Sequence, residues 1–568
     1  MRHKRYLILS LLLAIVLILV GSLFLLHNSD KDSSNTKQFK ILTSENSQVT
    51  ALDYTDLSIN SYSDVYNVTT QQSISEQIEV LKTSADYDFS NILAISNPYQ
   101  TNVTSLYVYF KTDKASKISY TISDLKGSYP TYSANLYNNS GDYSTIHEYQ
   151  IIGFVGGIEN KLTLTAITED GEEQKTTINY TPPTAFSNYE QNNFTVSEGV
   201  SDEALSNGLY AVIGDQSTSQ KLTYLVDNDG IVRAELPLIG YNSLRLLFDD
   251  QQNMYLTISK SKIAKINRLG EVIQIYDVGV SGYNLHHDFT FDDQGNIIAL
   301  ATNLAAETED KLVEDRIIKI NLETASVSEV ADFRKLLPDL YDVATELATQ
   351  ATYEGYWDPI HLNTIQYSGD DSIIVSSRET STIIKLGQIS DATTIDYFIS
   401  DPSIWTGIGD YSNYLLSKDG DFVSQAGQHS VIYQTDNSLA EGQYYLYLFN
   451  NNSGIMDSRP NFDFSSYENI GSDDKADSNS YSMYYKYLVD ENNRTYQLVN
   501  SFKVPYSPYI SSVQNFSGNL IIDSGQQGIF LEYDASNELI RSFTINSDTK
   551  FIYRVYKYDF ENYYFSSN

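Results

Sequence analysis

The chain contains no cysteine. That excludes disulfides, thiolate chemistry, Cys-ligated zinc and lipid attachment through a thiol, so an ordered body has to rely on its core. Positive charge is also scarce: 37 Lys and Arg stand against 73 Asp and Glu, a formal net charge of −36. No basic block occurs beyond the first five residues, which argues against a nucleic-acid surface. The same balance disfavours long-range attraction of anions, so any anion site must be local. No Gly-rich loop with a following Lys is present to cradle phosphate, and no Cys/His cluster has metal-ligand spacing. The expectation is a protein with no cofactor and no metal.

Long hydrophobic runs are absent with one exception, Tyr6 to Leu26, which follows the basic tip Arg2-His-Lys-Arg. At about 1.5 Å rise per residue this run can cross about 30 Å of hydrocarbon, and the basic flank predicts that the remainder lies outside. A cleaved signal peptide is the other reading, but its apolar region is usually only about 7–15 residues long, and no small-x-small site follows Leu26. The expected organisation is a cytoplasmic tip at 1–5, a transmembrane signal anchor at 6–26, a polar tether at 27–47, a β-sandwich at 48–195 and a larger β domain at 196–568. That makes a single-pass cell-membrane protein with its body outside the cytoplasm; a homodimer is left open.

What the chain does have is tyrosine, 47 in all, together with many Val-, Ile- and Thr-rich stretches, so an all-β body is expected. Between Gln48 and Pro183 short alternating segments such as Ser105–Lys111, Lys117–Ser123 and Lys161–Thr168 suggest an immunoglobulin-like sandwich. His147 is the only histidine there and reads as structural. After Gly208 a unit recurs in which an Asp/Asn/Gly turn leads into an apolar strand: Asp227-Asn-Asp-Gly, Asp249-Asp-Gln-Gln-Asn, Asp292-Asp-Gln-Gly-Asn, Gly369-Asp-Asp-Ser and Ser517-Gly-Asn. Six units start near 208, 244, 286, 361, 429 and 512. Radially stacked units of this kind make a β-propeller, with six blades expected and seven the runner-up. Asp332 to Tyr353 interrupts the repeat with apolar residues at helical spacing, broken by Pro338. It reads either as a packed cap or as a rim that presents Trp357 as an aromatic wall.

Four of the seven histidines, His286, His287, His361 and His429, lie where a unit's inner strand begins. In a propeller such starts converge on one end of the axial channel. A hairpin over Trp357–Arg378, turning at Ser-Gly-Asp-Asp, also brings His361 near Arg378. Imidazole beside guanidinium suits a tetrahedral oxyanion.

The segments Leu285-His-His-Asp-Phe, Ile360-His-Leu-Asn-Thr, Asp-Asp-Ser-Ile with Ser376-Ser-Arg, Gly427-Gln-His-Ser-Val and Asn450-Asn-Asn-Ser-Gly resemble the PAPS-independent aryl sulfotransferase family in order and content. The likeness covers roughly residues 45–568. It implies transfer of a sulfuryl group from a phenolic sulfate ester to a phenolic acceptor, ping-pong, through a sulfohistidine. The family's sulfurylated histidine falls on His429, and its anion-binding pair on His361 and Arg378. Its remaining histidine falls on His286 or His287, and Asn363 and Trp357 are expected to contact substrate. Two departures stand out: Glu379 follows Arg378 and either holds it or weakens its grip on sulfate, and Trp357 is further from His361 than the family's spacing. The alternatives are a metal-dependent lactonase-type propeller, with Asp288 and Asn363 around calcium, and a non-catalytic surface propeller that binds glycans or proteins.

Overall fold

The computed structural model describes residues 40–42 and 48–566, apart from 55–56, 58, 140, 142, 188–192, 219, 241–243, 349–353, 468–469 and 472–479. The expected anchor, Tyr6–Leu26, lies outside the described residues. Among those described, no helix is long and apolar enough to cross a membrane.

The N-terminal body is built on one long strand, Leu106–Asp124. Its first half pairs with Leu93–Ser96 and Ser144–Ile151, and its second half with Tyr132–Asn135 and Asn160–Thr168. Alternation places Phe110, Ile118, Tyr120 and Ile122 in a shared core with Tyr149, Leu162 and Leu164. One element was not expected. Val68–Lys82 is a helix, capped where the Asn67 side chain accepts the Thr70 N–H at 3.1 Å. Ile74 and Ile78, four apart, turn one face inward, and Gln71 accepts the Val272 N–H at 3.3 Å, which ties the helix to the second body. His147 is buried, stacked on Phe110 and hydrogen-bonded to Thr112 and Tyr149 at 3.0 Å each.

The second body contains six sheets among the described residues, antiparallel except where Ser417–Lys418 joins Thr495–Val504 in parallel. Their consecutive hairpins start at Leu209, Leu246, Tyr283, Leu362, His429 and Ser512. The recurring turns have one cause. Asp227, Asp249, Asp292 and Asp534 each use Oδ1 to accept two backbone N–H groups, two and four residues on, at 2.7–3.0 Å. The hairpin after Leu362 turns instead through Asp370 and Asp371 at φ 48° and 55°, the double left-handed turn that matches strand twist.

The first and last sheets are completed by distant segments. Arg554–Tyr558 pairs with Leu209–Ile213 and is the edge strand of the first sheet, so the unit at 208 does not begin with its inner strand. Phe194–Glu198 pairs with Leu539–Ile545 on the last sheet, so the second body takes in Phe194 and Thr195, ahead of the 195/196 boundary read from the sequence. The leading strands Tyr283–Phe291, Leu362–Gly369, His429–Gln434, Ser512–Phe516 and Arg554–Tyr558 pack each on the next. Side-chain oxygens stitch them: Asp288 accepts the Ile365 N–H at 3.1 Å, Thr364 that of Val431 at 3.3 Å, Ser430 that of Val513 at 3.0 Å and Ser512 that of Val555 at 3.0 Å. The Tyr558 hydroxyl accepts the Leu246 N–H at 3.1 Å, and Arg245 donates to Asp288 at 2.6 Å, which closes the circuit through the second sheet.

Candidate active site

Three of these leading strands carry a β-bulge, between Leu285 and Phe289, Leu362 and Thr364, and His429 and Ile432. A bulge re-aims the side chains around it. At or immediately before each, a non-glycine residue takes left-handed backbone: His287 at φ 51°, His361 at 46° and Ser430 at 55°. Such conformations persist only where surrounding structure enforces them.

The bulges gather the imidazoles. The His287 ring centroid lies 4.9 Å from that of His361 and 5.1 Å from that of His286, with His286 Nδ1 and His287 Nδ1 3.0 Å apart. Of the adjacent pair, His287 is thus the one that faces His361. The hairpin closes onto the same place, since the Arg378 N–H donates to the His361 carbonyl at 3.1 Å. Arg378 is buried, and its Nη2 has no hydrogen-bond partner among the described residues. His429 is held by one edge: Nδ1 lies 2.8 Å from Asn451 Oδ1 and 3.1 Å from the Gly427 carbonyl. Asn451 cannot flip, because its Nδ2 donates to the carbonyls of Ser507 at 2.7 Å and Ile510 at 3.1 Å. Two acceptors on Nδ1 make it the N–H, which leaves the Nε2 lone pair available.

Two family models match the chain: the arylsulfotransferase (ASST) model over residues 195–566 and the arylsulfotransferase Ig-like domain over 93–183. The chain belongs to the arylsulfotransferase family. As a member it is an aryl sulfotransferase, acting on phenolic sulfate donors and acceptors. No curated protein matches the chain. Solved structures match only distantly. A putative 6-phosphogluconolactonase from Bacteroides uniformis ATCC 8492 has 10% identity over 78% of this chain and 99% of that one, with a TM-score of 0.34. The WD40 domain of Toxoplasma gondii coronin has 8% identity over 62% and 77%, with a TM-score of 0.33. An auxiliary nutrient binding protein from Bacteroides thetaiotaomicron VPI-5482 has 11% identity over 78% and 94%, with a TM-score of 0.29. At such scores these likenesses carry no argument.

In this arylsulfotransferase, two expected substrate contacts are engaged elsewhere. Asn363 donates to the Gln428 carbonyl at 2.8 Å and accepts from Thr364 at 3.0 Å, which makes it a strut between sheets. The Trp357 indole donates to the Ala344 carbonyl and packs against Tyr341 and Arg334. The helical segment, Phe333–Leu336 and Pro338–Val343, therefore takes up Trp357 as a packed cap, because its indole N–H finds its acceptor there. The aromatic neighbour of the histidines is Tyr553, its ring 6.0 Å from that of His287. Glu379 accepts from the Asp457 and Ser458 N–H groups at 3.0 Å each and from the Ser458 hydroxyl at 2.7 Å, while the Arg378 guanidinium stays 3.6 Å away. Glu379 thus braces the 457–458 loop and pairs with Arg378 by charge at longer range, without a hydrogen bond to it.

The structure adds a second guanidinium. Arg554 is fully buried, donates through Nη2 to the Asn363 carbonyl and lies 3.5 Å from Asp288 through Nη1. Its Nε has no hydrogen-bond partner among the described residues. Burial drives the His429 imidazole well below the usual histidine range, helped by His361, Arg378 and Arg554. Burial likewise depresses His287 and brings His286 to about 3. The imidazoles are consequently neutral at physiological pH, as a nucleophile requires.

Among the described residues, two groups have donor atoms close enough to hold a metal ion: His286, His287 and Glu314, and Glu314, Asp358 and His361. Neither coincides with the Asp288 and Asn363 pair of the lactonase reading, since Asp288 is committed to Arg245 through a second contact at 2.5 Å.

Proposed function

We propose that the protein moves a sulfuryl group between phenols by a ping-pong mechanism, with His429 as the nucleophile. The observation that carries this is the one-edged hold on His429: Nδ1–H fixed by Asn451 and Gly427, Nε2 left for attack. In the first half-reaction the Nε2 lone pair forms an N–S bond and the ester S–O bond breaks, its electrons going to the phenolate. The second phenol then attacks sulfur and returns the electron pair to Nε2. Arg378 and Arg554 supply unpartnered guanidinium N–H groups to the sulfuryl oxygens, in a dry site where such donors act most strongly. His361 and His287 serve proton transfer, with His286 behind them. Tyr553 offers its ring to the aryl group.

The six sheets read as the blades of a propeller. Support comes from the circuit of contacts between leading strands and its closure by the Arg554–Tyr558 and Phe194–Glu198 strands. The body is proposed to stand outside the cytoplasm on the Tyr6–Leu26 anchor, a reading supported by the basic flank and the uninterrupted apolar run. Intact cells treated with protease should then lose the C-terminal body; full protection would overturn that topology.

The mechanism is tested by mixing protein with 4-nitrophenyl sulfate in the absence of acceptor and locating the adduct by peptide mass spectrometry. A gain of about 80 Da on the His429 peptide is expected, the mass of the group transferred in nucleophilic catalysis. An adduct on tyrosine or another histidine, or undiminished phenol release by His429→Ala, refutes the assignment.

A further inference from the structure

Sulfuryl transfer through His429 leaves a proton to be placed. A phenolate departs in the first half-reaction and a phenol must lose its proton in the second. Arg378 and Arg554 cannot release one at neutral pH, and the His429 Nδ1 hydrogen is committed to Asn451 and Gly427. The carrier must be a neutral imidazole with something behind it to hold the proton.

Among the described residues His361 has the fullest backing, two carboxylates on one ring nitrogen where His287 has one at longer range. Its own N–H donates to Asp358 Oδ1 at 3.0 Å, its Nδ1 is in hydrogen-bond contact with Asp358 Oδ2, and Glu314 Oε2 lies 3.0 Å from the same nitrogen. The other oxygen of Glu314, Oε1, is 3.6 Å from His287 Nδ1. Both carboxylates are buried, Asp358 4% and Glu314 5% exposed. Two carboxylates on one nitrogen in a dry pocket repel each other, so one proton is shared among them and His361. The surroundings enforce this. Glu379 and Asp457 add negative charge to the pocket, Arg378 is the cation that acts on both Asp358 and His361, and the neutral rings of His287 and His429 complete the wall.

We propose that Asp358 and Glu314 form a proton-holding pair that works through His361, giving a proton to the departing phenolate and taking one from the acceptor phenol. The idea rests on the sulfuryl-transfer reading above and names groups that reading does not use. The steps balance as a relay. The phenolate takes the Nε2 proton of His361, and the proton held by Asp358 passes to Nδ1. In the second half-reaction the acceptor phenol returns a proton to Nε2, Nδ1 gives one back to Asp358, and the cluster is restored. Neither carboxylate touches substrate; both are positioning residues. Burial, which raises the Asp358 carboxyl and lowers His361, keeps the proton on the carboxylate side between turnovers, and agrees with that direction of relay.

The test compares two donors in single turnover without acceptor: 4-nitrophenyl sulfate, whose phenolate leaves readily without a proton, and phenyl sulfate, whose phenolate does not. Asp358→Asn should slow phenyl sulfate by on the order of 10² or more, the usual scale of general acid catalysis, and 4-nitrophenyl sulfate by about threefold or less. Glu314→Gln should show the same selectivity with a smaller loss, because Asp358 remains on Nδ1. Asp358→Glu should restore part of the phenyl sulfate rate. Equal losses on both donors in every variant, the mark of a merely structural role, would overturn the proposal, as would no loss on phenyl sulfate. So would a stoichiometric transition metal in the purified protein whose removal reproduces the Asp358→Asn profile. If wild-type protein transfers from neither donor, the sulfuryl-transfer reading itself fails, and the proposal falls with it.

Discussion

Replacing Asn451 with leucine asks whether His429 works in one imposed tautomer. The wild-type Nδ1–H has two acceptors, Asn451 Oδ1 at 2.8 Å and the Gly427 carbonyl at 3.1 Å. Leucine removes the nearer and leaves the farther. A buried neutral hydrogen bond contributes about 1–1.5 kcal/mol net, and about 1.4 kcal/mol is a factor of ten. The ratio of the Nε2-unprotonated to the Nδ1-unprotonated tautomer of His429 should therefore fall by about fivefold to tenfold, and that factor is the ceiling on the loss of sulfurylation rate. Leucine also strips the Ile510 carbonyl of the Asn451 donor and leaves the Ser507 carbonyl only the Ser482 hydroxyl at 3.3 Å, so stability should drop by about 1–3 kcal/mol. Asn451→Asp separates the two effects: it keeps an acceptor for Nδ1–H and loses both donors. The assay is burst release of 4-nitrophenol at saturating donor without acceptor, beside a thermal melt. The aspartate variant should lose stability as leucine does yet keep most of its burst rate. A leucine variant with an undiminished burst rate, or an aspartate variant slowed as much as leucine, would refute the tautomer argument.

Other outcomes follow from the same geometry. Arg554→Gln should lower the burst rate by on the order of 10²–10³, the cost of one oxyanion donor, with the melting temperature followed in parallel because Arg554 also holds the Asn363 carbonyl. Lys557 and Glu532 form a fully buried ion pair at 2.8 Å that joins the closing strand to the sixth sheet, so Lys557→Met should cost about 3–5 kcal/mol in denaturant unfolding by leaving Glu532 unpaired. His147 is held by burial at about 4 instead of 6.5, so its share of stability is complete above pH 6.5 and is lost as pH falls towards 4. At about 1.4 kcal/mol per unit the loss is about 3 kcal/mol, and His147→Gln should flatten the unfolding free energy against pH over that window by a comparable amount.

How much of this was legible in the sequence differs from element to element. The Asp turns were, because one side chain captures its backbone N–H groups locally and needs no tertiary partner. The hairpin from His361 to Arg378 was legible as well, because its turn is set locally by Asp370 and Asp371 in left-handed backbone. The helix Val68–Lys82 carried a local signal as well, Asn67 before it and Ile74 and Ile78 within, but the strand-like composition around it masked that signal. Arg554 carried none. It lies in Phe551-Ile-Tyr-Arg-Val-Tyr, which reads as one more apolar strand, and its place beside Asp288 depends on pairing with Leu209–Ile213, far away in the chain. Asp358 and Glu314 were hidden in another way. Each is an ordinary acid in an acidic chain until the segments leading into Arg316–Ile320 and Leu362–Gly369 bring them to one nitrogen. Trp357 misled because spacing to His361 was read along the chain, whereas the indole follows its hydrogen bond to Ala344.

The placement of the stitching oxygens explains why the site is accurate despite being assembled from bulges. Asp288 follows His287, Thr364 lies three residues after His361, and Ser430 follows His429; each accepts an N–H of the next leading strand. A bulge alone would let its strand slide or twist, since it interrupts the ladder that fixes register. Anchoring the neighbouring residue to the adjacent sheet removes that freedom at the point where the imidazole leaves the backbone. The cost is that no single hairpin carries a finished site. His361 and Arg378 come with one hairpin, His429 and Asn451 with another, and Arg554 only with the strand that closes the first sheet, held by Ser512 through the Val555 N–H. The proposed anion-binding set is therefore assembled only when the circuit is closed, which on that proposal makes closure of the fold and competence of the site the same event.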